Sequence, residues 1–177
     1  MEKSALRKAM RQAKRQYADQ ELEEMSKEVA ARVLRHPKVT GAQTVLLYYS
    51  LPDEVDTHAL ADQLVATGKT VVLPKIIGDG LLELRRYTGR QDLAEEPSFH
   101  ILEPIGERFT HYATIDVAII PGMAFDAQGH RMGRGKGYYD RLLPQLKHTY
   151  KIGVCFDFQK VQKVPTEPWD INMDEVL

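Results

Sequence analysis

The pattern of hydrophobic and polar residues predicts alternating helices and strands. Asp19 is a candidate N-cap for a helix that Pro37 ends. Its apolar stripe is formed by Leu22, Met25, Val29 and Val33. Short apolar runs bounded by polar residues, glycine or proline are typical of buried strands. Strands are predicted at Thr44–Tyr49, Thr70–Leu73, Leu81–Tyr87, Val117–Ile120 and Lys151–Phe156, and further helices at Thr57–Thr67 and Tyr138–Leu143.

The order strand, loop, helix, strand over residues 44 to 73 indicates a βαβ unit. Such units cross over right-handed and join two parallel strands. We therefore expect residues 1–177 to form one three-layer α/β domain, with a largely parallel sheet and helices on both faces. Open sheets of this kind bind ligands at the carboxyl ends of their strands. Loops at those ends are the first places to look for a functional site.

Composition and charge narrow the classes of protein. The chain has 43% hydrophobic and 28% charged residues with a formal net charge of -1, which are globular values. The near-neutral charge gives no general attraction to nucleic acid or to a membrane surface, so we expect neither as a partner. No apolar run approaches the length of a membrane span, and no apolar segment follows the basic N-terminus as in a secretory signal. We expect a cytoplasmic protein.

The cysteine and histidine content argues against disulfides and zinc. Cys155 is the single cysteine, so it has no internal partner. It is interpreted as a buried core thiol, with a nucleophile as the alternative. The histidines show no metal-binding spacing, which disfavours a zinc site.

A glycine-rich segment between the predicted strand at Val117–Ile120 and the helix at Tyr138 is the main candidate for chemistry. It contains Gly129, Gly133, Gly135 and Gly137 together with Arg131, Arg134, Lys136 and Arg141. One interpretation is a flexible loop with solvated charges. The other is an anion site for nucleotide phosphates, built from backbone N–H groups, cations and a helix N-terminus. The strand before the loop and Asp140 after it favour the anion site, although neither the Walker nor the dinucleotide motif is present.

Two other segments carry candidate functional residues. Residues 1–17 form a predicted basic helix in which Lys3 and Arg7 share a face. A solvated face or a weak RNA patch would also explain these charges. The loop after Thr44–Tyr49 contains three carboxylates; Asp56 or Thr57 is expected to cap the next helix, and Asp53 is either solvated or functional.

The glycine-rich segment resembles the signature of a known family. It reads Gly122-x-x-Phe125-Asp126-x-x-Gly129-x-Arg131-x-Gly133-x-Gly135-x-Gly137-Tyr138-Tyr139-Asp140, which is similar to the 5-formyltetrahydrofolate cyclo-ligase family. The similarity extends to Lys3 and Arg7, Ser50–Thr57, Leu73–Lys75 and Asp170–Glu175, and so covers nearly the whole chain. It implies a fold related in architecture to sugar-phosphate isomerase and CoA-transferase domains.

The resemblance also implies roles for individual residues. ATP would be bound by Lys3, Ser4, Ala5, Leu6, Arg7, Arg131, Met132, Gly133, Arg134, Gly135, Lys136, Gly137, Tyr138 and Tyr139. The folate substrate would be bound by Tyr49, Glu54, Arg134, Gly135, Lys136, Gly137 and Tyr138, with Lys136, Arg134 and Tyr138 catalytic. Asp140 and Asp170 would hold Mg²⁺. Trp169 stands where the family would have His or Asn beside that aspartate.

The implied activity is ATP- and Mg²⁺-dependent closure of 5-formyltetrahydrofolate to 5,10-methenyltetrahydrofolate, with release of ADP and phosphate. It would proceed by phosphorylation of the formyl oxygen and attack by N10, in a protein expected to be a monomer. The alternatives are a non-catalytic folate- or nucleotide-binding regulatory relative, and an RNA-binding module that uses the basic N-terminus. Arg85 and Arg86 are left as exposed charges or as contacts to a folate glutamate tail.

Overall fold

A seven-stranded sheet runs through the computed structural model, which describes all of residues 1–177. The helices are α1 (Lys3–Lys14), α2 (Asp19–Arg35), α3 (Pro37–Thr40), α4 (His58–Ala66) and α5 (Tyr138–Leu142). The strands are β1 (Thr44–Leu47), β2 (Thr70–Gly78), β3 (Leu81–Tyr87), β4 (Leu93–Glu95), β5 (Leu102–Pro104), β6 (Arg108–Phe109), β7 (Val117–Ile120), β8 (Ala124–Phe125), β9 (Arg131–Met132), β10 (Tyr150–Gly153) and β11 (Glu175–Val176).

The order of strands in the main sheet is β11-β10-β7-β1-β2-β3-β6. Neighbouring strands from β11 to β2 are parallel, and β3 and β6 add an antiparallel edge. Two small hairpins, β4–β5 and β8–β9, lie outside it. The predicted βαβ unit and the largely parallel sheet are therefore confirmed.

Side chains alternate between the two faces of the central strands, as strand geometry requires. Val45 and Leu47 of β1 belong to a core that includes apolar residues of α2 and α4, whereas Leu46 faces a second core that includes Leu142 of α5. All four residues of β1 are buried, which a sheet covered on both faces demands. The predicted three-layer arrangement follows from this double burial.

The ends of α2 differ from the prediction. Ala18, not Asp19, is the N-cap residue, and Asp19 is the first residue of the helix. The Glu21 carboxylate accepts a 3.0 Å hydrogen bond from the Ala18 N–H, so a side chain inside the helix does the capping. Pro37 ends α2 as expected and also begins α3, where its fixed φ is favourable.

Both residues predicted to cap α4 lie at its start, but they make different hydrogen bonds. Thr57 is the N-cap residue, but its hydroxyl donates to the Tyr48 carbonyl at 2.5 Å and accepts from the Ser50 N–H at 3.0 Å. The Asp56 carboxylate accepts from the His58 N–H at 2.8 Å. Thr57 thereby holds the loop after β1 closed, while the Asp56 carboxylate caps a free backbone N–H at the start of α4.

Four predicted boundaries need correction. β1 ends at Leu47 instead of Tyr49, and β2 continues past Leu73 to Gly78 because it pairs with β3 in a long hairpin. β10 runs from Tyr150 to Gly153 instead of Lys151 to Phe156. α5 ends at Leu142, where a 3-10 turn containing Pro144 takes over.

Cys155 lies in the core and is 1% exposed. Burial raises the pKa of its thiol to about 12, with a smaller opposing effect from Lys160. A protonated, enclosed thiol is a poor nucleophile, so the interpretation as a core residue holds. Among the helices, α2 is the longest at 17 residues, and none is long and apolar enough to cross a membrane.

Candidate functional site

One cavity of about 550 Å³ opens at the carboxyl ends of β1, β7 and β10. Parallel strands expose unpaired backbone groups at this end, and the loops that follow them supply the lining. It is lined by Lys3, Arg7, Lys14, Tyr48, Glu54, Val55, Pro121, Gly122, Met123, Arg131, Met132, Gly133, Arg134, Gly135, Lys136, Gly137, Tyr138, Tyr139, Asp140, Arg141, Val154, Gln159, Trp169 and Asp170. The glycine-rich segment, the basic helix and the carboxylate loop therefore meet at one place.

The glycine-rich segment contains more structure than the sequence predicts. Its first part folds back as the β8–β9 hairpin, in which Ala124 pairs with Met132 and Phe125 with Arg131. Gly135 and Gly137 have φ values of 104° and 75°, in the left-handed region that favours glycine. The hairpin fixes where the segment begins, and the positive φ values let residues 133 to 137 turn along the cavity wall.

Arg131 is a buried cation at the cavity wall, with its side chain 9% exposed. Its Nε donates to the Pro121 carbonyl at 2.6 Å, and its guanidinium lies 4.9 Å from the centre of the Tyr139 ring. Burial lowers the pKa of Arg131, and the charge of Asp140, 4.0 Å away, opposes this shift. The positive charge is held rigidly in a poorly solvated position, where it acts strongly on an anion.

Arg134 and Lys14 share a carboxylate that the sequence left unassigned. Arg134 Nη2 lies 2.7 Å from one oxygen of Asp53, and Lys14 Nζ lies 3.5 Å from the other. Burial alone would raise the pKa of Asp53, but the hydrogen bond and charge of Arg134, with Lys14, lower it. Asp53 is therefore not simply solvated: it holds two cations of the cavity in place.

Glu54 lies beside this cluster, and its side chain is 17% exposed. One carboxylate oxygen accepts from the Leu51 N–H at 2.8 Å, and the other lies 3.7 Å from Arg134. Burial raises the pKa of Glu54 more than the Leu51 hydrogen bond and Arg134 lower it. One face of the carboxylate remains directed to the cavity, where it can accept hydrogen bonds from a ligand.

Helix α1 contributes cations from its N-terminal turns. Arg7 Nε donates to the Gly133 carbonyl at 2.9 Å, which docks the helix against the glycine-rich segment. Lys3 Nζ lies 3.9 Å from Glu167. Ser4 and Ala5 are exposed and outside the lining, and Leu6 is buried in a small core with Met132. The helix thus presents Lys3 and Arg7 to the cavity, while the ATP contacts of residues 4 to 6 stay predictions.

Tyr48, and not Tyr49, lines the cavity after β1. The Tyr49 ring stacks on His58 with 3.9 Å between centroids, and its hydroxyl is buried without a hydrogen-bond partner. The Tyr48 hydroxyl donates to the Val55 carbonyl at 2.9 Å. The structure therefore separates Tyr49 from the other predicted folate residues, and its role in binding stays a prediction.

Asp140 and Asp170 lie on the wall of the same cavity. The Asp140 side chain is about half exposed, and one oxygen of Asp170 accepts from the Glu167 N–H at 2.7 Å. No group of three or more His, Cys, Asp or Glu side chains is arranged to hold a metal ion. Two carboxylates fit the donor set of Mg²⁺, which usually completes its shell with water and substrate phosphates.

The helix after the glycine-rich segment is too short for its N-terminus to contribute much to anion binding. α5 has five residues, so its dipole adds little to the attraction that the cations and loop N–H groups supply. Arg141 instead connects the loop to the β2–β3 hairpin, since its Nη1 donates to the carbonyls of Gly80, Lys136 and Gly137 at 3.3 to 3.4 Å.

Several lining residues escaped the sequence analysis. Lys14 lies eleven residues after Lys3 and seven after Arg7. This spacing puts all three on one helix face and could have identified Lys14 as a lining residue. Gln159 donates to the carbonyls of Gly122 and Met123 at 3.3 and 3.1 Å, and no sequence pattern marks it. Trp169 was noted only as a departure from the expected residue.

Arg85 and Arg86 lie outside the cavity lining. Arg85 donates to the Glu83 carboxylate at 2.8 Å through Nε and to the Gly106 carbonyl at 3.1 Å, and Arg86 is exposed. Arg85 therefore ties β3 to the loop before β6, and a contact of either arginine with a folate glutamate tail stays a prediction.

An open, mostly parallel sheet with a cation-rich cavity at the carboxyl ends of its strands defines an α/β protein with a candidate site for an anionic ligand. Comparison with known proteins identifies the family within this class. The sequence matches the 5-formyltetrahydrofolate cyclo-ligase family over residues 1–177, and the chain belongs to that family. The predictions of the family and of an enzyme are confirmed.

Individual relatives agree with this assignment. The chain is 33% identical to the 5-formyltetrahydrofolate cyclo-ligase of Escherichia coli K12, over 95% of each chain, and 27% identical to that of Mus musculus, over 99% of this chain and 92% of the other. The solved structure of the Aquifex aeolicus 5,10-methenyltetrahydrofolate synthetase superposes with a TM-score of 0.86 at 34% identity, covering 99% of this chain and 89% of that one. The Mycoplasma pneumoniae synthetase gives a TM-score of 0.80 at 27% identity, covering 99% and 98%.

Proposed function

We propose that this protein uses MgATP to close 5-formyltetrahydrofolate to 5,10-methenyltetrahydrofolate, releasing ADP and phosphate. The chain belongs to the cyclo-ligase family. The observation that carries the proposal is that one cavity combines cations suited to phosphate binding, a buried carboxylate and two further aspartates. These are the groups that phosphoryl transfer to a folate needs. A non-catalytic relative would have no need to keep all of them together.

The phosphates of ATP would lie along residues 133 to 137. Backbone N–H groups in that segment, with Arg134 and Lys136, offer donors to the phosphate oxygens. Lys3 and Arg7 approach from α1. Arg131 supplies a fixed positive charge from the cavity wall. Arg134 would exchange its contact with Asp53 for one with the ligand.

The folate would bind on the β1 side of the cavity. The Glu54 carboxylate can accept hydrogen bonds from the ring N–H and amino groups of a pterin. Those bonds need the ionised form, so its raised pKa predicts weaker folate binding as the pH falls through that value. Glu54 also lies 3.7 Å from Arg134, so a folate bound at Glu54 would lie next to the phosphates.

ATP is needed because the substrate is unreactive in two ways. The N5-formyl carbon is an amide carbon and therefore a weak electrophile, and ring closure must expel an oxygen that is a poor leaving group. In the proposed path the formyl oxygen attacks the γ-phosphorus, the bond to the β,γ-bridging oxygen breaks and ADP leaves. N10 then attacks the formyl carbon, loses its proton, and phosphate departs with the formyl oxygen.

The chain's own task in this path is positioning and charge stabilisation. Lys136, Arg134 and the loop N–H groups would stabilise the transferring phosphoryl group, with Tyr138 beside them. Asp140 and Asp170 would hold Mg²⁺, which when bound offsets charge on the phosphates. Neither step uses a nucleophile of the protein, in agreement with the buried Cys155.

The near-ultraviolet absorbance of the methenyl product tests the proposal. Mixing the protein with 5-formyltetrahydrofolate and MgATP should produce this absorbance, and omitting ATP should abolish it. Saturable binding of both ligands without product would instead identify a binding protein. Binding of RNA with neither ligand bound would identify an RNA module.

A further inference from the structure

Trp169 occupies an unusual position for the largest apolar side chain. It is 69% exposed, although a tryptophan normally buries most of its surface. The other large hydrophobic residues that are exposed lie away from the cavity, and Trp169 alone among them contributes to its lining. The exposed indole ring therefore lies on the cavity wall, where a bound ligand could cover it.

The other aromatic rings of the cavity are largely occupied. Tyr48 is 3% exposed, with its hydroxyl bonded to Val55. Arg131 lies over the Tyr139 ring at 4.9 Å. Tyr138 directly follows Gly137 and therefore lies at the phosphate end of the cavity. Trp169 is the ring that remains for a planar ligand group.

Helix α1 contacts both the segment that contains Trp169 and the glycine-rich loop. Glu167, two residues earlier, lies 3.9 Å from Lys3, and Arg7 of the same helix donates to Gly133. Lys3 and Arg7 therefore lie between the segment of Trp169 and the glycine-rich loop. A molecule with phosphates on that loop and a planar ring at its far end would bring the ring to this part of the wall.

The strand order separates this position from Glu54. Glu54 follows β1, whereas Val154 and Gln159, which line the cavity near the end of β10, lie on the opposite side of β7. Trp169 belongs to the segment that leads from there into β11. A pterin oriented by Glu54 thus occupies the β1 side, and the planar group at Trp169 belongs to the other substrate.

We propose that Trp169 stacks on the adenine ring of ATP and thereby favours a purine over a pyrimidine nucleotide. The inference rests on the proposed function, since it takes a nucleoside triphosphate as the ligand of the glycine-rich loop. Stacking of a base on an aromatic side chain contributes enough binding energy to change affinity by about tenfold or more.

Binding measurements with three ligands separate the base from the phosphates. Calorimetry with Mg²⁺ present would compare ATP, CTP and inorganic tripolyphosphate on the wild type, Trp169→Ala and Trp169→Phe. We expect Trp169→Ala to lower the affinity for ATP about tenfold and the affinity for CTP less. The affinity for tripolyphosphate should stay unchanged, because only the base loses a contact. Trp169→Phe should restore most of the affinity for ATP. Circular dichroism would confirm that both variants are folded.

The tryptophan itself provides a second readout, since Trp169 is the only one in the chain. Its fluorescence should change when ATP binds and stay unchanged with tripolyphosphate. Equal affinity of the wild type and Trp169→Ala for ATP, or equal loss of affinity for ATP and tripolyphosphate, would overturn the inference. It would leave the proposed function intact if the absorbance assay still showed product. A wild type that binds none of the three ligands would contradict both.

Discussion

Asp126 shows how much of the site depends on one buried carboxylate. Its side chain has no exposed surface, and its two oxygens accept from the N–H groups of Gln128, His130 and Val164 and from the His130 ring, at 2.9 to 3.1 Å. These bonds shape the turn between β8 and β9 and tie it to the C-terminal segment. The signature residue thus positions Arg131 without touching the cavity.

Asp126→Asn should lower the free energy of unfolding at pH 7 by about 2 to 3 kcal/mol, because the new NH₂ group would face donors. Burial alone would raise the pKa of Asp126, but its hydrogen bonds with Val164 and His130 lower it. Its ionised form therefore adds stability that is complete above the unfolded pKa of about 3.9 and is lost as the pH falls through the lower folded value.

Denaturant unfolding at several pH values checks this. The difference between wild type and Asp126→Asn should shrink as the pH falls below about 4, where the Asp126 carboxylate becomes protonated. Asp157→Asn is the control, since the Asp157 side chain is 80% exposed. A difference that does not shrink below about pH 4 would contradict the assignment.

Lys136 is an exposed cation of the glycine-rich loop, so its loss should affect chemistry more than folding. We expect Lys136→Ala to lose about 2 to 4 kcal/mol of transition-state stabilisation, seen mainly in kcat, with a melting temperature near that of the wild type. Lys8→Ala, an exposed lysine of α1 outside the lining, should change neither. Parallel losses of activity and melting temperature in Lys136→Ala would show that Lys136 is structural.

At the scale of elements, the β8–β9 hairpin and the C-terminal segment are held together at Gly129. This residue has a φ of 84°, and its carbonyl accepts from the Met173 N–H at 2.7 Å. A Cβ added there would lie 2.3 Å from the Met173 carbonyl oxygen. Gly68, at the end of α4, has the same φ of 84° but nothing within 4 Å of an added Cβ.

This pair separates backbone strain from steric conflict. Gly68→Ala should cost about 1 to 2 kcal/mol, the cost of a left-handed conformation for alanine. Gly129→Ala should cost about 2 kcal/mol more, because the backbone must also move away from Met173. Chemical denaturation of the two variants measures both values, and equal losses would mean that the contact with Met173 is easily relieved.

Sequence patterns predicted the central strands and the longer helices but missed the shortest elements. β1, α4, β2 and β7 follow from apolar runs and helical spacing. The β8–β9 hairpin has only two residues in each strand, too few to show a period. Tyr48 lines the cavity where the sequence pointed to Tyr49, because the last residue of β1 decides which of the two side chains turns towards the cavity.

For the whole molecule, the sequence predicted which segments meet but not how they pair. Parallel topology brings the loops after β1 and β7 to one edge, so Glu54 and the glycine-rich segment could be placed together. The contact of Asp53 with Arg134 joins residues 81 apart, and no local pattern encodes it. Such pairings depend on the final packing of α1 and the two loops.

The proposed metal site also depends on distant segments, since Asp140 lies in the first turn of α5 and Asp170 precedes β11. Replacing either with Asn should raise the Mg²⁺ concentration needed for half-maximal activity by about tenfold or more, because one ligand loses its charge. Folate affinity measured without nucleotide should stay near that of the wild type. An unchanged Mg²⁺ requirement in both variants would exclude these residues as ligands.

The fate of the formyl oxygen tests the central claim most directly. If the cavity serves to phosphorylate the substrate, that oxygen becomes the bridge between carbon and phosphorus before N10 closes the ring. With oxygen-18 in the formyl group, mass spectrometry should therefore find the label in the released inorganic phosphate. If ATP hydrolysis only drove a conformational change, the label would leave in water. Unlabelled phosphate, formed together with the methenyl product, would contradict the account.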